Sequence, residues 1–146
     1  MQHPIPASAE TTPAPRAVGP PDARTRWMRY VFLGLMILLT ALALSQFFLA
    51  GLSLFESPAR WADHRTTGHI FGSITYVVWI FALLGRLGRV QVSAAVALLV
   101  MAELQYAFIG ASSGIANALH PLNGSLILVL CVWMAANALG VIRQRR

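Results

Sequence analysis

The sequence predicts an all-α integral membrane protein, a four-helix bundle built from two duplicated helical hairpins. Hydrophobic residues make up 57% of the 146 residues and charged residues only 11%, far from the composition of a soluble domain. Four apolar runs each approach the roughly 20 residues that a bilayer core requires. Because backbone polar groups must be paired within the membrane, four packed helices are the economical architecture.

The chain divides into a polar tail and four apolar runs. Residues 1–23 carry six of the eight prolines and can bury little apolar surface, so we predict a disordered cytoplasmic tail. The predicted transmembrane domain covers residues 28–142, with spans at about 28–52, 64–84, 90–110 and 121–142. The turn at 85–89 is short enough to force spans two and three into an antiparallel hairpin.

The distribution of basic residues predicts the orientation. All eleven are Arg, and nine of them fall on one side of the membrane if the chain crosses it four times. By the positive-inside rule both termini are cytoplasmic, and we expect a multi-pass protein of the bacterial cytoplasmic membrane. A nucleic-acid partner is not expected, because the charges flank membrane spans and form no patch.

The second half of the chain repeats a motif of the first half. Both copies read Q-Φ-x-Φ-Φ-G, then a loop, then H-x-x-x-G, and they occupy residues 46–68 and 105–124. The repeat predicts two equivalent histidines, His64 and His120, that face each other across a pseudo-twofold axis. Such a pair could hold a flat ligand such as haem, or a metal ion.

The spacing predicts that the two histidines lie at the same depth. His64 precedes Arg86 by 22 residues, and His120 precedes Arg143 by 23. At about 1.5 Å per residue these distances are ~33 and ~35 Å, and spans two and four run in the same direction. The two imidazoles are therefore expected to be level, as an axial pair requires.

Both histidines are predicted to stand at helix starts. Pro121 suits the first helical position, which makes His120 the expected cap residue of span four. Asp63 is expected to cap span two in the same way. Because positive charge is disfavoured at a helix N-terminus, both rings should be neutral, the form that coordinates a metal.

Glycine follows each histidine by one helical turn. Gly68 and Gly124 either let helix backbones approach closely or leave room for a porphyrin plane. His69 lies about 140° further round the helix than His64, so both cannot ligate the same face of one haem. If span two begins lower, His69 becomes the substitute ligand. Without a cofactor, the histidines are interfacial hydrogen-bonding residues.

These residues carry a resemblance to known proteins. The Asp-His-Arg tripeptide at 63–65, the Leu-His-Pro-Leu-Asn stretch at 119–123 and the four-span duplicated plan resemble a family of small uncharacterised bacterial membrane proteins. The plan is also similar, more distantly, to one half of the haem A synthases, in which helix-borne histidines of a duplicated four-helix bundle bind haem. The resemblance covers residues 28–142.

The resemblance implies binding of haem b through His64 and His120, with Arg65 or Arg60 available to pair with the propionates. It does not imply synthase activity. The chain has one four-helix unit where the synthases have two, and Asp63 matches the glutamate of the synthases only loosely.

Glu103 is the only carboxylate inside a predicted span. A charged glutamate there would be costly, so it is either protonated or paired, and His69 on the neighbouring span is the nearest partner in depth. In a structural role, neutral Glu103 hydrogen-bonds across the bundle. In a functional role, Glu103 and His69 relay protons or contact a quinone head group.

Three functions are open at this point. The first is a b-type haem protein that transfers electrons, with haem and a redox partner or quinone as partners besides the lipid bilayer. The second is a membrane scaffold or subunit without a cofactor, and the third is a small proton-coupled transporter. The chain has no nucleotide-binding, zinc-peptidase or nucleophile-elbow motif, and we expect no enzymatic activity from it alone.

Overall fold

The computed structural model describes residues 20–144, which form four long α-helices joined by short connections. The helices are α1 (Ala23–Phe55), α2 (Trp61–Leu84), α3 (Arg89–Gly110) and α4 (Gly114–Arg143), and a 3₁₀ turn at Pro58–Arg60 precedes α2. All four are long and apolar enough to cross a bilayer. The chain is thus a multi-pass helical membrane protein, which confirms the predicted fold class. Most of the predicted tail, residues 1–19, lies outside the described residues.

The helices pack as an up-down-up-down bundle. Within residues 20–144, α1 packs against α2 and α4, and α3 packs against the same two helices. Helix α2 is therefore diagonally opposite α4, and α1 is diagonally opposite α3. We term the end where α2 and α4 begin the histidine end, and the end where they finish the arginine end.

The core of the bundle repeats between the two halves. When Gln46 is aligned with Gln105, every buried apolar residue of α1 between positions 32 and 43 is aligned with a buried residue of α3. The pairs are Phe32 and Gln91, Met36 and Ala95, Leu39 and Leu98, and Ala43 and Ala102. When His64 is aligned with His120, α2 and α4 match likewise. These pairs are Phe71 and Ile127, Thr75 and Cys131, Val78 and Met134, and Ala82 and Ala138. The duplication thus extends from the motif to the packing.

At the arginine end, α1 is tied to the turn between α2 and α3. Arg29 is 4% exposed, and its Nε donates a hydrogen bond of 2.8 Å to the carbonyl of Gly85. A Cβ on Gly85 would lie 3.3 Å from the Arg29 side chain, so glycine allows this approach. The turn then enters α3 through Gly88, whose φ of +90° favours glycine.

The start of α1 is capped by a side chain. Asp22 accepts a hydrogen bond of 2.7 Å from the backbone N–H of Thr25. This bond holds the pKa of the Asp22 carboxyl below its ordinary value.

The prediction that span four begins at Pro121 with His120 as its cap is wrong. Helix α4 begins at Gly114, seven residues earlier, and Pro121 lies inside it. The residues at 115–119, Ile-Ala-Asn-Ala-Leu, favour a helix that continues into the proline. Membrane helices tolerate an interior proline because neighbouring groups pair the backbone carbonyl that it leaves.

The predicted cap of span two is also wrong. Helix α2 begins at Trp61, so Asp63 lies in its first turn, where a negative charge favours the helix dipole. The Oδ2 atom of Asp63 lies 3.4 Å from Nη1 of Arg60, and Glu56 lies 3.6 Å from Nη2 of the same guanidinium. Arg60 is therefore shared by two exposed carboxylates.

We predict that Arg29→Met lowers the stability of the detergent-solubilised protein by about 2 kcal/mol, the scale of a lost hydrogen bond to a charged group. The measurement is thermal unfolding followed by circular dichroism. Arg26→Met, at an exposed position of the same helix, is the matched control. Equal unfolding midpoints for the two variants would contradict an anchoring role for Arg29.

Candidate functional site

The two repeated histidines meet at the histidine end of the bundle. The ring centroids of His64 and His120 are 6.2 Å apart, with an angle of 54° between the ring planes. They extend from diagonally opposed helices and are half-buried. The bundle thus brings together the two side chains that the repeat singled out.

Each imidazole is held by the backbone of the preceding helix. His64 Nδ1 lies 3.1 Å from the carbonyl oxygen of Gln46, and His120 Nδ1 lies 3.1 Å from that of Gln105. A carbonyl oxygen only accepts, so Nδ1 carries the hydrogen in both rings. In a neutral ring, Nε2 then carries the lone pair available to a metal or to a hydrogen-bond donor.

The glutamine side chains lie over the glycines of the motif. A Cβ on Gly68 would lie 3.5 Å from Oε1 of Gln46, and a Cβ on Gly124 would lie 3.2 Å from Nε2 of Gln105. The repeated Q…H-x-x-x-G pattern is therefore one structural unit. The main-chain carbonyl of the glutamine orients the imidazole. The side-chain amide of the same glutamine packs against the glycine that lies one turn beyond the histidine.

The two copies of the unit differ in their hydrogen bonds. In the second copy, Asn123 Nδ2 donates to Oε1 of Gln105 at 2.8 Å and to the carbonyl of Met101 at 2.8 Å. The first copy has Thr67 at the position equivalent to Asn123. There, Nε2 of Gln46 is buried and finds no hydrogen-bond partner among the described residues. The first copy thus keeps an unused donor beside the histidine pair.

Sequence reasoning missed the role of Asn123. The available signal was an amide side chain three residues after His120, on the same face of an apolar span. The contact of Trp61 with the pair was also not predicted: its ring meets that of His64 edge-on, with 5.2 Å between centroids.

The structure separates His69 and Glu103 from the histidine pair. His69 is exposed and stacks on Tyr106, with centroids 5.4 Å apart and ring planes at 12°. The expected pairing of Glu103 with His69 is not formed, because Tyr76 donates a hydrogen bond of 2.8 Å to Oε1 of Glu103. Tyr76 lies two turns after His69 on the same face of α2, and this spacing was the available signal for the partner of Glu103.

The donor set of the pair restricts the metals that it suits. Among residues 20–144, no group of three or more His, Cys, Asp or Glu side chains is placed to hold a metal ion. His64 and His120 alone would leave most of the coordination sphere of a bare ion to other ligands. Two opposed imidazoles are, in contrast, the complete protein ligand set of a six-coordinate haem iron. Arg65, one of the predicted cofactor residues, is exposed beside His64.

Fold and site together define a duplicated-hairpin membrane protein with an inward-facing histidine pair. Residues 46–113 match a family of unknown function, DUF6220. The matched stretch contains the whole first motif and Gln105, and it ends before His120. Neither the curated proteins nor the solved structures gave a match. The chain is thus similar to an uncharacterised family, as the sequence indicated, and the similarity in plan to haem A synthases gains no support.

We predict opposite effects of alanine at the two motif glycines. Gly68→Ala places its Cβ in ordinary contact with Gln46, so relief of the glycine helix penalty should stabilise the protein by about 0.5–1 kcal/mol. Gly124→Ala presses on Gln105, which Asn123 holds in place, and should destabilise it.

Thermal unfolding of both variants measures this difference. Gly34→Ala is the matched control, because a Cβ there has no neighbour within 4 Å. A Gly124→Ala variant as stable as Gly34→Ala would show that the amide of Gln105 is not held.

Proposed function

We propose that this membrane protein binds a b-type haem between His64 and His120 and transfers electrons at the histidine end of the bundle. The observation that carries the proposal is the 6.2 Å separation of the two ring centroids. Two imidazoles that bind one metal from opposite sides, with metal–nitrogen distances of about 2 Å, place their centroids about 6 Å apart. Each Nε2 is available for this, because each Nδ1 is bonded to a carbonyl.

Small residues surround the pair and favour a flat group. Gly68 and Gly124 lie one turn beyond the histidines, and Ala43 and Ala102 are buried one turn deeper on the other two helices. The glutamine amides over the glycines would have to rotate to admit a porphyrin. For Gln46 this rotation breaks no hydrogen bond of its amide nitrogen. The residues therefore fit the group in ligand type and ligand spacing.

The residues of the chain would orient and tune the ligands. The carbonyls of Gln46 and Gln105 fix the ring orientation and raise the basicity of the ligating nitrogens. Arg65 is exposed one residue after His64 and is the cation best placed in sequence to pair with a propionate, since Arg60 already contacts two carboxylates. A bound haem would supply one-electron redox chemistry.

A membrane scaffold or subunit without a cofactor is the second candidate. It is favoured by the packing of the glutamine amides against Gly68 and Gly124, which fills the space that a porphyrin would use. In that case the histidine–carbonyl bonds serve only to join the helices, as polar side chains do in other membrane bundles.

The absorption spectrum separates these candidates. We expect the detergent-purified protein, produced with haem supply, to show a Soret band that sharpens on reduction with dithionite, with a split visible region. Both features should be lost in His64→Ala and in His120→Ala. His69→Ala is the matched control, because it removes an imidazole from the same helix outside the pair, and it should retain the spectrum.

A colourless protein that also fails to bind added haemin would overturn the haem proposal and favour the scaffold. Loss of the spectrum in His69→Ala together with its retention in His64→Ala would show that His69, and not His64, is the ligand, and would contradict the proposed site. Circular dichroism of each variant shows whether a lost spectrum reflects a lost ligand or a lost fold.

A further inference from the structure

A polar groove lies on the outer surface of the bundle, between α2 and α3. It has a volume of about 260 Å³ and is lined by His69, Gly72, Ser73, Tyr76, Glu103 and Tyr106. Glu103 lies seven residues before the end of α3, about 10 Å along the helix axis from it. The groove therefore opens sideways at the depth of the lipid, not at the end of the bundle.

Polar side chains at this position are costly unless they are paired. Tyr76 satisfies one carboxyl oxygen of Glu103, and the hydroxyl of Ser73 donates to the carbonyl of His69 in its own helix. The carboxyl of Glu103 still offers a second oxygen, and the imidazole of His69 offers its ring nitrogens. A partner that supplies hydrogen bonds here would offset the cost of facing lipid.

The groove also has a flat aromatic wall. Tyr106 stacks on His69, and its hydroxyl donates to the carbonyl of Gly68 at 3.1 Å. Gly72 makes this possible, because a Cβ at residue 72 would collide with the hydroxyl of Tyr106. A planar ring suits such a wall better than a branched or charged head group does.

We propose that this groove binds the head group of a lipid-soluble quinone or quinol. The ligand must arrive through the bilayer, carry oxygen atoms that accept from a protonated Glu103 carboxyl and the His69 N–H (or, as a quinol, donate to these groups), and present a flat ring to the His69–Tyr106 stack. A quinone with an apolar tail has all three properties. The groove adjoins the histidine pair, since Gly68 contacts both Tyr106 and Gln46. A redox role for the bound quinone rests on the proposed haem, whereas the binding itself does not.

Binding is tested by isothermal titration of haem-free protein in detergent with ubiquinone-1 and, separately, with a short-tailed menaquinone. We expect saturable binding of at least one probe. Glu103→Leu and His69→Ala should each weaken it by about tenfold, the effect of one lost hydrogen bond to a strongly polar group. Gly72→Ala, which displaces Tyr106, should weaken it as well.

Two controls make the result specific. Asn137→Leu removes an exposed polar side chain of α4 that bonds only within its own helix turn, to Trp133, and should leave binding unchanged. The haem-free state of the protein is the second control: because no haem is present in the titration, failure of the haem proposal does not affect the outcome.

The proposal is overturned if neither quinone binds saturably, or if Glu103→Leu and His69→Ala bind as the unchanged protein does. It is equally overturned if the purified protein is a dimer that Glu103→Leu converts to a monomer. That result would show that a second copy of the chain covers the groove.

Discussion

The architecture of the site depends on one hydrogen bond that occurs twice, from a histidine Nδ1 to a glutamine carbonyl of the preceding helix. The main-chain carbonyl oxygen of Gln46 or Gln105 already accepts a hydrogen bond within its own helix. The imidazole therefore donates to the second lone pair of that oxygen. The bond therefore orients a ring without breaking the helix. Because it joins α1 to α2 and α3 to α4, it also sets the register within each hairpin. The two hairpins then bring the rings together.

The same bond explains why the motif needs its other residues. A glutamine whose main-chain carbonyl accepts from His64 or His120 places its side-chain amide within the bundle. The glycine one turn beyond the histidine provides the space for that amide. A buried amide in a membrane needs partners, and Asn123 supplies one in the second copy. The amides of Gln46, Gln105 and Asn123 are thus consequences of holding two imidazoles, whatever these imidazoles bind.

Much of this could be read from the sequence. The lengths of the apolar runs predicted four spans, and alignment of the repeat selected His64 and His120, because both signals lie in the order of residues along the chain. The start of α4 could not be read, since the preference of proline for a first turn competes with the helix-forming residues before Pro121. The partner of Glu103 could not be predicted from depth, because depth does not specify which of several side chains on one helix face extends to the carboxyl. His69 and Tyr76 lie two turns apart on the same face of α2, but Tyr76 donates to Glu103, whereas His69 stacks on Tyr106.

The differences between the copies indicate how a duplicated bundle divides its tasks. In the second copy the side-chain oxygen of Gln105 is hydrogen-bonded, because Asn123 donates both to it and to a backbone carbonyl. The first copy leaves a buried donor on Gln46 unused, and its glycine face also borders the lipid-facing groove. Glu103 has Leu44 as its equivalent, so α1 carries no carboxylate at the position that lines the groove in α3. An exact twofold bundle would have no preferred side for a ligand. The asymmetry leaves the unpaired amide of Gln46 on the first-copy side of the histidine pair, so the two sides of the pair are not equivalent.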